Sequence, residues 1–206
     1  MSTTTTDTMP SAHADHQTSL GLSNLKLGMW TFLGSECLFF GAFISTHLIY
    51  IGNFGNSPEI RQSNLFDIPF TSVSTFILLM SSLAMVLALA AIQQGNMRSF
   101  RIWILATALM GAVFMSGQVY EFTVFYAEGM RLETSPFTSS FFVLTGFHGF
   151  HVFFGIMMLV GLWAASLVGK LTPSKAEMVE YIGLYWHFVD IVWIVLFTVV
   201  YLIPAE

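Results

Sequence analysis

The chain has 206 residues, of which 55% are hydrophobic and only 9% charged, a composition for an apolar solvent rather than for a water-soluble domain. Its net charge of −5 is spread over links and tails, which argues against a nucleic-acid partner. A single cysteine, Cys37, rules out an internal disulfide and a cysteine-based metal cluster, and plain packing accounts for it.

The first element, residues 1–25, is expected to be a flexible polar tail. Its opening, "MSTTTTDTMPSAHADHQTSL", has no basic start followed by an apolar core, so it does not read as a signal peptide. His13 and His16 stand at metal-ligand spacing there, but a solvated tail gives them no fixed geometry, and no metal is assigned. Residues 26–206 form the membrane domain. A bilayer crossing needs about 20 mostly apolar residues, and five stretches meet that length: 27–51, 69–93, 102–127, 139–169 and 179–202. The first carries Trp30, Glu36, Cys37 and His47. The loop "GNFGNSPEIRQSNLFDI" leads to the second, and "QGNMRSFR" leads tightly to the third, which holds Trp103, Gln118 and Glu121. "EGMRLETSPF" precedes the fourth span, with His148 and His151, and "KLTPSKAEM" the fifth, with His187 and Asp190. The fold class is therefore all-α: one five-helix transmembrane bundle.

Basic residues set its orientation. Lys26, Arg98, Arg101, Lys170 and Lys175 fall on one side of the membrane, and Arg61 and Arg131 on the other. This predicts a cytoplasmic N-terminus and an external C-terminus. Helix contacts are expected along small residues spaced by four: Gly41 and Ser45, Ala84 and Ala88, Ala108, Ala112 and Ser116, Thr145 and Gly149.

The ionisable residues inside the spans carry the chemistry. Each is costly in lipid, about 2.5 to 3.5 kcal/mol on insertion scales, so each should face inward and find a partner. A rise of 1.5 Å per residue puts Glu36, His187 and Asp190 roughly 12 to 16 Å deep from the same side. Tilt of the long fourth span brings His148 and His151 towards that depth, with His151 favoured. His148 and His151 share a helix face, as do His187 and Asp190. Glu36, Phe40, Phe43 and His47 share one stripe. The expectation is a polar layer in which Glu36 has His148, His151, His187, Asp190 and Glu121 as its candidate partners. Glu121 is placed near the outer end, within reach of interfacial water. Three readings fit this layer: structural polar groups satisfying one another, a di-iron or haem site, and a proton-handling site. The helical ExxH motif of di-iron bundles is absent, so no metal ligand and no catalytic residue are assigned.

Four segments of the same spans carry a family resemblance. "LTGFHGFHVFFG" (144–155) and "YWHFVDIVWIVLFTVVYL" (185–202), preceded in order by "GSECLFF" (34–40) and "GQVYEF" (117–122), resemble subunit III of the haem–copper terminal oxidases in its short five-helix form. The resemblance covers nearly everything from Lys26 onward. It implies an accessory subunit of an aerobic respiratory oxidase that reduces oxygen to water and translocates protons, with haems and copper held by partner subunits and none in this chain. It implies subunit I as the main contact, subunits II and IV as further ones, and placement in a bacterial inner membrane. It also implies that Glu36 is the carboxylate that reacts with carbodiimides, a buried protonatable acid. Bound phospholipids are expected beside the aromatic belt residues Trp30 and Trp103. "SECLFF", "GQVYEF" and "LTGFHG" favour cytochrome c as electron donor, while "FDIPF", "LLMSS" and "FTVVYL" resemble the quinol-oxidizing branch, which is the alternative. A stand-alone channel or transporter is the reading from another class, and the spans show neither paired half-helices nor a charge-lined pore for it.

Overall fold

A computed structural model describes residues 24–54 and 68–202. The polar tail with His13 and His16, the residues of the first link from 55 to 67 with Glu59, Arg61 and Asp67, and residues 203–206 lie outside the described residues. The rest is helical: α1 (Asn24–Phe54), α2 (Ile68–Gln93), α3 (Met97–Ala127), α4 (Pro136–Leu167) and α5 (Ala176–Phe197), the last continued by a π-helical turn, Thr198–Leu202. All five are long and apolar enough to cross a membrane.

Local chemistry sets the ends of the helices, and it shortens several links. Asn96 caps α3 by accepting from the Ser99 amide at 3.1 Å, so the helix begins inside the expected link and Arg98 and Arg101 ride on its first turns. Ser135 opens α4 with a capping box to Thr138, and Pro136 follows at the first helical position. Gly95 and Gly129 stop α2 and α3 in the left-handed region, at φ +75° and +92°. There the next amide, of Asn96 or Met130, turns back to the carbonyl of Ala91 or Phe125. At the far end of α4, Arg101 Nη2 donates to the Ser166 carbonyl at 2.6 Å and so caps the helix from α3.

α2, α3, α4 and α5 close into a ring, each packed against the next, and α1 lies outside it against α4 and α5. Trp186 of α5 sits at the centre of that ring. Its indole Nε1 donates to Ser81 of α2 at 3.0 Å, and its ring lies against Gly111 of α3 and Gly155 of α4. A Cβ on Gly111 would fall 2.6 Å from the ring, and one on Gly155 2.7 Å. Trp193, about two turns further along the same face of α5, repeats the device by donating to Thr75 of α2 at 2.9 Å.

Small residues therefore make contacts, but not all of those expected. Ala84, Ala88, Ala108 and Thr145 are buried. Ala112 and Ser116 are exposed, because α3 turns Gly111, Phe114 and Gln118 inward instead. Gly41 and Ser45 are also exposed, since α1 presents Phe40 and His47 to the bundle. Only 11% of the apolar stretch of α1 is buried inside the chain, against 50% for α5.

Replacing Gly155 by Ala forces Trp186 or α4 to move, and overpacking of this kind costs about 1 to 3 kcal/mol. The expected result is a lowered unfolding midpoint in detergent for Gly155→Ala, while Gly146→Ala, which meets nothing within 4 Å, leaves the midpoint unchanged.

Candidate functional site

The inward stripe of α1 holds Lys26, Glu36, Phe40, Phe43 and His47. Glu36 Oε2 lies 3.2 Å from His151 Nε2 of α4, with the two side chains 18% and 15% exposed. His151 Nδ1 lies 2.7 Å from the Phe147 carbonyl one turn back. A carbonyl only accepts, so Nδ1 carries a hydrogen, and a neutral ring turns its Nε2 lone pair towards Glu36. The approach is then favourable in two states: a protonated Glu36 facing a neutral ring, or a carboxylate facing an imidazolium. One proton belongs to the pair in both. Tyr185 of α5 donates to the His151 carbonyl at 3.0 Å, and the Phe40 ring covers the imidazole at 5.0 Å.

Two further polar contacts hold α1. Lys26 Nζ meets Glu180 of α5 at 2.8 Å at one end. His47 Nδ1 lies 2.8 Å from Ser140 Oγ of α4 at the other, with its ring beside Phe137. Positions 26, 36 and 47 recur at about three helical turns, which is why one face of α1 carries all three.

The other expected partners of Glu36 lie elsewhere. His148 is 1% exposed, stacks on Trp193 at 4.9 Å, and has no hydrogen-bond partner for either ring nitrogen among the described residues. His187 turns to α2, where its Nδ1 lies 2.5 Å from Ser82 Oγ. Asp190 is 3% exposed, with the hydroxyl of the same serine beside its carboxyl. Glu121 does not reach interfacial water. It is buried, accepting from Thr71, from Gln118 Nε2 at 3.0 Å and from Tyr201 Oη at 3.3 Å. The expected single layer is thus divided among separate interfaces. Trp186 and Trp193 fix the rotation of α5, so its 187 and 190 positions face α2 while Tyr185 and Phe188 face α1. Trp30 and Trp103 point outward, 53% and 37% exposed.

The hydroxyl residues of α2 carry contacts that the ionisable residues alone do not point to. Thr71, Thr75, Ser81 and Ser82 of α2 serve Glu121, Trp193, Trp186 and His187 in turn. Their signal was available: a polar stripe at helical spacing in "TSVSTFILLMSS" (71–82). Among the described residues, no three His, Cys, Asp or Glu side chains converge as a metal site would require.

Five membrane-length helices with paired protonatable side chains between them define a polytopic helical membrane subunit. The chain belongs to the cytochrome c oxidase subunit III family, whose sequence model matches residues 5–204, a match that starts ahead of Lys26. Cytochrome c oxidase subunit 3 of Bacillus sp. (strain PS3) is 35% identical over 198 residues, covering 96% of this chain and 94% of that one. Quinol oxidase subunit 3 of Bacillus spizizenii is 36% identical over 191 residues, with 93% and 92% covered. Cytochrome c oxidase subunit 3 of Thermostichus vulcanus is 40% identical over 179 residues, with 86% of each chain covered.

Removing the Glu36 side chain leaves His151 Nε2 facing an apolar gap, at a cost of about 1 to 3 kcal/mol. Glu36→Ala is expected to lower the unfolding midpoint, and Glu36→Gln, which can donate an amide hydrogen to Nε2, to restore most of it. Equal midpoints for the two variants in thermal scans would show that the polar contact contributes nothing.

Proposed function

We propose that this chain is the accessory subunit of a proton-translocating respiratory oxidase that reduces oxygen to water with electrons from cytochrome c. The observation that carries this is the family match over nearly the whole chain, with relatives of similar length that are named cytochrome c oxidase subunit 3. Catalysis then belongs to partner subunits that hold the haems and copper. Subunit I is the main contact, with subunits II and IV further ones, in the inner membrane of a bacterium. Quinol as donor is the second reading, and the relative from Bacillus spizizenii supports it at a similar identity.

Within that role, Glu36 acts as a protonatable carboxyl that shares a proton with His151. The 3.2 Å approach and the committed Nδ1 support this assignment. No electron passes through the pair, so its effect falls on the firmness of α1 and on proton balance near the complex. His148, His187, Asp190 and Glu121 act as structural polar groups at other interfaces. Phospholipids lie against the outward Trp30 and Trp103. Residues 1–25 form a polar tail to the 26–206 membrane domain, on the cytoplasmic side with Lys26, Arg98, Arg101, Lys170 and Lys175, and the C-terminus lies outside.

The test is purification of the tagged chain from its native membrane. Haem-bearing subunits should come with it, and the preparation should oxidise reduced cytochrome c faster than quinol. A chain that purifies without haem overturns the assignment, and the reverse donor preference moves it to the quinol branch. In the same preparation a carbodiimide should label the wild-type chain, and Glu36→Gln should remove the label while leaving oxygen consumption intact. Reporter fusions in the 94–101 and 170–178 links should report the cytoplasm. An external signal from either link reverses the orientation.

A further inference from the structure

The ring of four helices has grooves on its outer surface. The groove between α4 and α5 holds α1, and there Glu36 is brought to His151. The groove between α5 and α2 is built alike. His187 of α5 is half-buried in it, its Nδ1 held by Ser82 of α2, and its Nε2 has no partner among the described residues. One turn along α5 lies Asp190, buried beside the same Ser82 hydroxyl. One turn along, Val86 of α2 and Ile191 of α5 are 49% and 60% exposed, so the walls are apolar and uncovered.

Depth makes the histidine decisive. His187 is about 17 Å into α5 and Ser82 about 21 Å into α2, which places both in the middle of the hydrocarbon. Neither water nor an acyl chain can satisfy a ring nitrogen there, and a polar group left unmet in lipid is costly. An exposed apolar groove with one unmet hydrogen-bonding group at mid-membrane matches a helix that carries one polar side chain at that depth. α1 is such a helix for the neighbouring groove.

We propose that the α2/α5 groove seats a transmembrane helix of another oxidase subunit, which presents a hydrogen-bonding side chain to His187 as α1 presents Glu36 to His151. The inference rests on reading the chain as a subunit of an oxidase complex. It adds which face is the interface and which residue anchors it.

The test uses the full complex in native membranes. A photoreactive benzoylphenylalanine is placed at Val86, at Ile191 or, as a control on the outer face of α3, at Val113, which is 52% exposed. Irradiation should join the first two to another oxidase subunit, identified by mass spectrometry, and leave the third unjoined. His187→Phe, which keeps a ring but removes the nitrogens, should cut the yield of co-purified oxidase subunits several-fold, and His187→Gln should restore much of it. Crosslinks from position 113 alone, crosslinks from 86 and 191 only to lipid or to a second copy of this chain, or an unchanged yield for His187→Phe would each overturn the proposal. Failure of the wild-type chain to bring down any oxidase subunit is a separate result, and it removes the functional reading together with this inference.

Discussion

The bundle depends on one indole. Trp186 reaches from α5 to Ser81 of α2 and fills the space left by Gly111 of α3 and Gly155 of α4, so a single side chain touches the other three helices of the ring. In lipid there is little hydrophobic gain from bringing helices together, because the solvent is as apolar as leucine. Close packing and buried hydrogen bonds must supply the attraction, and Trp186 supplies both. Its N–H would be stranded in hydrocarbon if α2 moved away, and its ring would leave a large gap if the glycines withdrew. Trp193, held by Thr75 and stacked on His148, extends the same principle along α5.

α1 obeys a different rule. Little of it is buried in this chain, and it is held on the ring by Lys26 to Glu180, Glu36 to His151 and His47 to Ser140, with Phe39, Phe40 and Phe43 filling the intervals. The outer pairs are unequal in setting. The Lys26 pair is about a third exposed and serves to set register, whereas His47 is enclosed. Glu36 lies between them, 3.2 Å from His151 of α4. Polar contacts along its inward face thus fasten a peripheral helix.

Hydroxyls on α2 connect these themes. Ser81, Ser82 and Thr75 meet two indoles and one imidazole of α5, and Thr71 meets Glu121. A serine or threonine in a helix can return its proton to its own backbone, as Ser81 and Thr75 do towards Leu78 and Thr71, so it accepts from a partner without being left unmet itself. That is why α2 can be strongly apolar and still satisfy its neighbours.

The five crossings and the inward stripe from Glu36 to His47 were legible in the sequence. Length and helical period determine them without reference to other helices. Family membership was legible too, from "LTGFHGFHVFFG" and "YWHFVDIVWIVLFTVVYL" read in order. The partners of His148, His187, Asp190 and Glu121 were not. A helix in lipid is apolar on most sides, so only its few polar residues hint at the inward face, and they do not say which neighbour each one meets. In α5 the positions 185 to 190 circle the whole helix, and all are compatible with the interior. Only the seating of Trp186 between Gly111 and Gly155 chose the rotation, and that choice sent His187 and Asp190 to α2 and left Glu36 with His151 alone.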